Sequence, residues 1–257
     1  MGLEGRRALV TGGGRGIGRA TALLLAKAGA DVALSARTRT ELDRVAEEVR
    51  ALGRTAVAVT ADVGNPDDVR ALFRSAREAL GGIDILIANA GIAPSDPLVK
   101  TSDETWSKAM AVNLSGPFYC LREALPQMVE RGWGRVVVMA SIAGKSAMPY
   151  IAAYAASKHG VLGLTKVAAL EMAGKGVTVN AVCPGYVDTP MTDGGVARIG
   201  AKTGTDTAKI RRKLEELSPQ KRLVTADEVA ALVLYLCGED ARGITGQGLN
   251  VDGGTLM

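Results

Sequence analysis

Histidine and cysteine are almost absent: the 257-residue chain holds one histidine and three cysteines. Cys120, Cys183 and Cys237 are far apart with no CxxC pair, and His159 completes no cluster with them, so a metal centre is excluded. A lone histidine also weighs against a serine hydrolase. Ser141 stands in MASIA rather than in a G-x-S-x-G turn, and His159 is poorly placed to serve it. Aromatic residues make up only 4% of the chain, and the net charge of +4 has no block of like charges behind it. Without an aromatic platform or a basic stripe, nucleic-acid binding is not expected. The short basic cluster Lys209–Lys213 reads as the solvated face of a helix. No apolar run reaches about 18 residues, and the opening GLEGRRALVTGGG lacks the apolar stretch of a secretion signal. A cytoplasmic protein without a membrane anchor is expected.

What the chain does hold is apolar: 47% hydrophobic residues, rich in Ala, Val, Leu and Gly, against 23% charged. That mixture suits buried parallel strands covered by close-packed helices. Short apolar runs at Arg7–Thr11, Asp31–Ala36, Ala56–Asp62, Ile83–Ala88, Gly134–Ala140, Thr178–Cys183 and Gly248–Val251 read as strands. Helical patterns lie between them, near Ile17–Ala28, Thr40–Leu52, Pro66–Ala79, Ser102–Val129, Tyr154–Glu171 and Asp227–Cys237. The alternation predicts a single α/β domain over residues 1–257. Its expected form is a doubly wound parallel sheet of about seven strands with helices on both faces. The polar stretch around 186–218 follows a strand end, where ligands of open α/β sheets bind, and is expected to be a substrate lid.

The first strand opens into a glycine turn and then a helix, with Gly12, Gly16 and Gly18 at spacing G-x-x-x-G-x-G. This departs from G-x-G-x-x-G, because Ile17 stands where its last glycine would be. The physical logic is shared, however. Glycines permit the tight turn, let the backbone approach a pyrophosphate and leave helix N-terminal N–H groups to bind it. A Rossmann-type dinucleotide fold is therefore expected. The second strand, VALSA, ends in Ala36 and Arg37 without the carboxylate that would accept from a ribose 2′-hydroxyl. Arg15 and Arg37 could instead clamp a 2′-phosphate, which favours NADP(H).

An ordered set of motifs spans the chain: Thr11-Gly12-x-x-x-Gly16-Ile17-Gly18, Asp62-Val63, Asn89-Ala90-Gly91, Asn113, Ser141, Tyr154-x-x-x-Lys158 and Pro184-Gly185. In this it resembles the short-chain dehydrogenase/reductase family. The resemblance implies a catalytic set of Asn113, Ser141, Tyr154 and Lys158. Tyr154 and Lys158 are four apart on an expected helix and share a face. A phenol of pKa about 10 is a poor base near neutrality. A neighbouring ammonium is expected to lower it, so that Tyr154 exchanges a proton with the substrate oxygen. Lys158 would also hold the nicotinamide ribose, Ser141 the substrate carbonyl oxygen, and Asn113 a water that relays protons from Lys158. For the cofactor, the resemblance implies adenine contacts from Asp62 and Val63, and a lining of Asn89, Ala90 and Gly91. It further implies an apolar platform in Ile17, and a carboxamide-holding segment in Pro184, Gly185, Val187 and Thr189. Ala88 stands where the family commonly has asparagine, a change expected to alter packing more than chemistry. His159 projects about 100° from Lys158 around the helix and reads as structural or exposed.

The segment from Tyr154 to Met191 looks especially like 3-oxoacyl (acyl carrier protein) reductases, polyketide ketoreductases and 3-hydroxybutyrate dehydrogenases. The expected activity is NADPH-dependent reduction of a ketone, a 3-oxoacyl thioester or related β-keto substrate, with Tyr154 as general acid. NAD-dependent oxidation of a 3-hydroxy acid or other secondary alcohol is the alternative. A non-catalytic cofactor-sensing protein is a third reading, against which the intact Ser–Tyr–Lys set argues. Arg131 and Lys175 are either solvent-facing charges or flank the entrance to meet an acyl carrier protein or coenzyme A. Met148, Tyr186 and Met191 are candidate pocket residues. The resemblance also implies a homotetramer built on the long helices and the C-terminal strand.

Overall fold

The computed structural model describes residues 2–256; Met1 and Met257, the ends of the expected domain, lie outside them. Three strand–helix units open the chain: β1 (Arg7–Thr11), α1 (Gly16–Lys27), β2 (Asp31–Ala36), α2 (Arg39–Ala51), β3 (Ala56–Thr60) and α3 (Pro66–Leu80). Then come β4 (Ile85–Ala88), α4 (Asp103–Met110), α5 (Gly116–Glu130), β5 (Gly134–Met139), α6 (Ala152–Met172) and β6 (Val177–Pro184). The last part holds β7 (Val187–Asp188), α7 (Pro190–Thr203), α8 (Thr207–Leu217), β8 (Val224–Thr225), α9 (Ala226–Cys237) and β9 (Gly248–Val251).

Seven strands form one sheet in the order β3-β2-β1-β4-β5-β6-β9, every pairing parallel. The doubly wound sheet of the sequence reading is therefore present. Buried on both faces, the strands read as near-continuous apolar runs: Ile85, Leu86 and Ile87 have no exposed surface. Their alternate side chains feed two cores. Leu9, Leu86, Val136 and Val138 meet Leu72, Phe73 and Met128 from α3 and α5. On the other face, Val10, Ile85, Ile87 and Val137 meet Leu25, Val45 and Val233 from α1, α2 and α9. The chain winds outward from β1 to β3 and restarts at β4 beside β1. The carboxyl ends of β1 and β4 therefore part around a crevice.

Local signals set several boundaries. Asn65 caps α3 by accepting from the Asp67 N–H, Pro66 opens it, and Gly81 closes it in the left-handed region. Thr225 and Glu228 form a capping box on α9. The third strand stops two residues early, because the Asp62 N–H turns to the Asp68 carboxylate. The fourth starts two residues late, because the Ile83 N–H donates to the Gln127 side chain.

The expected single helix Ser102–Val129 is corrected: a π turn at Ala111–Ser115 separates α4 from α5. Pro117 is the physical reason. It has no N–H for the carbonyl of Asn113 four residues back, and its ring crowds that carbonyl. The helix widens, and the Gly116 N–H reaches the carbonyl of Ala111, five back. The stretch 186–218 contains α7, α8 and β7, and β7 pairs with β8. Among the described residues no helix is long and apolar enough to cross a membrane, and no cluster of three His, Cys, Asp or Glu could hold a metal ion.

Candidate active site

At the carboxyl edge of the sheet, β1 runs into the glycine turn. Gly12 has φ +65°, and a Cβ there would lie 2.8 Å from the Asn89 amide nitrogen; one on Gly18 would lie 2.1 Å from the Gly12 carbonyl oxygen. Only glycine fits either place. Asn89 locks the turn: its side chain donates to the carbonyls of Thr11 (2.9 Å) and Gly12 (3.2 Å). Thr11 Oγ1 in turn accepts from the N–H groups of Asn89 and Ala90. The N-terminus of α1 has no side-chain cap and no acidic residue in its first turn, so its amides are left for an external anion.

A cleft of about 190 Å³ extends from this turn, lined by Gly12, Arg15, Gly16, Ile17, Gly18, Arg37, Asp62, Val63, Asn89, Ala90, Gly91 and Thr189 among others. Ser35, also in the lining, has a buried hydroxyl without a hydrogen-bond partner. Asp62 holds its loop by accepting from the Gly64 N–H through one oxygen, which leaves the other oxygen available. Bare glycine backbone, uncapped helix amides and a spare carboxylate oxygen fit a dinucleotide. The acid-free tip of β2 needs one correction. Glu41 of α2 also lines the cleft and pairs with Arg15 at 3.4 Å. Sequence inspection missed it because the residue comes from the following helix, packed against Gly14. Arg37 makes no ion pair among the described residues.

A second cavity, of about 280 Å³, adjoins the first along Ile17, Asn89, Gly91, Thr189 and Met191. It brings together Ser141, Tyr154, Lys158, Pro184, Gly185 and Val187, with Met148 and Tyr186. Ser141 follows β5 and caps a short turn, its hydroxyl accepting from the Ala143 N–H at 3.1 Å. Lys158, one turn beyond Tyr154 on α6, donates to the Met139 carbonyl at 2.7 Å. Its Nζ lies 5.7 Å from the Tyr154 ring centre. Burial lowers the Lys158 ammonium to about 8. Burial also raises Tyr154 above its ordinary value, against a smaller opposing pull from the Ser141 hydroxyl. The expected lowering of the phenol by Lys158 is not seen: desolvation dominates, and the one opposing pull comes from Ser141.

Asn113 lines neither cavity and is fully buried. Its carbonyl oxygen accepts from the Ile92 N–H, and its amide donates to the Ile92 carbonyl (2.9 Å) and to Ser157 (3.1 Å). Both amide donors are thereby occupied, so the side chain works as a strut between the π turn, the loop after β4 and α6. Ile92 and Ser157, its partners, carry no motif signal. The exposed His159 bonds only its own helix, at the Ala155 carbonyl. Arg131 lies at the amino edge of the sheet, donating to Asp84 and to the Gly81 carbonyl. It does not flank either cavity within the chain. Lys175, in the αβ connection before β6, belongs to that same edge.

The stretch after β6 lines much of the second cavity. From α7, Arg198 donates to the Ala93 carbonyl, and Lys202 to the Ser95 carbonyl and the Asp96 carboxylate. Arg211 ties α8 to Asp188 and Asp193. Arg198 and Lys202 both line the cavity, and sequence reading had not singled them out.

Comparison with known proteins agrees with this geometry. The family described as enoyl-(acyl carrier protein) reductase matches residues 12–255. The chain is 40% identical to a D-beta-hydroxybutyrate dehydrogenase of Rhizobium meliloti over 97% of its own length and 98% of that protein. It is 36% identical to the 3-oxoacyl-[acyl-carrier-protein] reductase FabG of Staphylococcus aureus, covering 98% of each. Among solved structures, a variant of actinorhodin polyketide ketoreductase with NADPH superposes with a TM-score of 0.94 at 38% identity, covering 97% of each chain. Levodione reductase superposes with a TM-score of 0.93 at 33% identity, covering 98% of this chain and 97% of that one. The chain belongs to the short-chain dehydrogenase/reductase family. It is an oxidoreductase of the ketone–alcohol pair that uses a nicotinamide cofactor.

Proposed function

We propose that the protein reduces a ketone to a secondary alcohol with NADPH, its substrate being a 3-oxoacyl thioester or a related β-keto compound. The observation that carries this reading is the single cavity wall shared by Ser141, Tyr154 and Lys158, next to the glycine-turn cleft. The nicotinamide, when bound, supplies the hydride. Gly12, Gly16, Gly18 and the first amides of α1 hold the pyrophosphate. Asp62 and Val63 hold the adenine end, Asn89, Ala90 and Gly91 the ribose side, and Ile17, Pro184, Gly185, Val187 and Thr189 the nicotinamide. Arg37, assisted by Arg15, takes the 2′-phosphate.

At the substrate, the Ser141 hydroxyl donates to the carbonyl oxygen and steadies its growing charge. Tyr154, kept protonated by its burial, donates its proton to that oxygen. Lys158 has one of its three donors on Met139, leaving two for the cofactor ribose and for the proton path to Tyr154. Asn113 is a positioning residue for the loop after β4. The 186–218 stretch acts as the lid. Exposed apolar side chains at Trp106, Phe118, Val167 and Leu170 on α4–α6 support assembly into a homotetramer. An acyl carrier protein is the macromolecular donor that fits a thioester substrate.

The test is the rate of NADPH against NADH oxidation with acetoacetyl-CoA and a panel of diketones and cyclic ketones. Strong NADPH preference with thioester turnover is expected. Tyr154→Phe should abolish turnover while sparing NADPH binding, and retained turnover would sink the mechanism. One observation favours a second reading, NAD-dependent oxidation of a 3-hydroxy acid. Glu41 sits beside Arg15, where it opposes a 2′-phosphate. Comparable rates with NADH, and faster oxidation of 3-hydroxybutyrate than reduction of any ketone, would select it.

A further inference from the structure

The lining of the second cavity is divided by polarity. Its apolar part includes Ile151 and the residues Ala140, Ile142 and Ala143 that flank Ser141 in the chain, and its neutral polar groups include Ser95, Tyr186 and Thr192. No aspartate or glutamate lines the cavity among the described residues, and its only cations besides Lys158 are Arg198 and Lys202. These two stand four apart on α7 and share a face. Lys202 is paired with Asp96 at 2.7 Å. Arg198 is not: a single guanidinium nitrogen donates to the Ala93 carbonyl, at 3.2 Å. Gly194 and Gly195 lie under it, and a Cβ on either would come within 3.7 and 3.9 Å of its nitrogens.

We propose that Arg198, seconded by Lys202, is the anion seat of the substrate cavity, and that the substrate is an amphiphilic ketone. Its carbonyl meets Ser141 and Tyr154, its apolar body lies under α7, and a carboxylate or phosphate remote from the carbonyl rests on the guanidinium. This inference builds on the reductase reading and narrows its substrate class. A ketone without a remote anion leaves this guanidinium unengaged. An anion at the mouth keeps its hydration in part and gains a forked donor with most of its N–H groups unused.

The experiment compares wild type with Arg198→Gln on a neutral 3-oxoacyl N-acetylcysteamine thioester, the coenzyme A thioester of the same acyl group, and a medium-chain oxo fatty acid carrying its carboxylate at the far end. The expected result is a fall of about tenfold in kcat/KM for an anionic ketone relative to the neutral one, carried by KM. Added salt should reproduce the loss in wild type. A loss confined to the coenzyme A ester identifies phosphate, and one confined to the oxo acid identifies carboxylate. An unchanged anionic-to-neutral ratio in a variant that still reduces ketones overturns the seat and leaves the reductase reading standing. Should no ketone be reduced, that reading falls and calorimetric binding of decanoate decides the seat. Weaker binding by about tenfold in Arg198→Gln upholds it, and equal binding overturns it.

Discussion

Lys158 concentrates the chemistry of the site in one residue. It is an ammonium with almost no exposed surface, one carbonyl partner and a pKa held down to about 8 by burial. Between that value and the ordinary 10.5 the unfolded chain binds the proton and the folded chain does not, so stability rises with pH across this window. Below it, holding the charge inside costs roughly 3 kcal/mol. Replacing Lys158 by methionine removes that cost along with activity. The difference in unfolding free energy between variant and wild type should therefore shrink by roughly 3 kcal/mol between about pH 7 and 10.5. Urea titrations at four pH values measure it, and a pH-independent difference would mean that the buried ammonium costs nothing. Tyr154, Lys158 and Ser141 were legible as a set because they stand in an ordered run of motifs that resembles the short-chain dehydrogenase/reductase family. Glu41 and Arg198 were not, since each is an ordinary charge on an ordinary helix until packing turns it toward a cavity.

At the scale of the element, the π turn between α4 and α5 is the feature that periodicity could not deliver. The apolar pattern of 102–129 continues through it, so a single helix was the natural expectation. Gly116-Pro117 held the signal, because a proline must disturb the carbonyl four residues earlier, and that carbonyl belongs to Asn113. The widened turn directs the Asn113 side chain at both backbone groups of Ile92 and at Ser157. Asn113→Ala would leave these buried groups unpartnered, a destabilisation of about 2–4 kcal/mol. Its kcat and its affinity for NADPH should both fall, since the strut supports α6 and the loop after β4, and that loop lines the cofactor cleft through Asn89, Ala90, Gly91 and Ile92. Equal stability to wild type in chemical denaturation would refute the strut.

Across the whole molecule, the two edges of the sheet have divided tasks. Both cavities open at the carboxyl edge. The amino edge carries a fastening in which buried Asp84 accepts from the Arg7 backbone N–H, the Arg7 guanidinium and Arg131. Asp84→Asn removes the charge facing two guanidinium groups. Because Arg7 and Arg131 keep 24% and 31% exposure, they can rehydrate, so the loss should stay near about 2–3 kcal/mol. Denaturation should register it while kcat stays at the wild-type value, as the edge is remote from Ser141 and Tyr154. A matching loss of kcat would contradict this division.

The amino-acid sequence by itself determined the strand–helix alternation, the parallel sheet and the glycine turn, because these follow from local periodicity and steric need, and it held the Ser–Tyr–Lys set through the family resemblance of its ordered motifs. Tertiary structure alone decided that Asn113 is a strut, that Glu41 shares the cleft with Arg15, that Arg131 lies at the far edge, and that Arg198 reaches the substrate cavity. Those outcomes depend on which residues distant in sequence come within a few ångströms. Burial decides the pKa directions of Tyr154 and Lys158 in the same way, since desolvation is a property of the packed surroundings rather than of the residue or its neighbours in the chain.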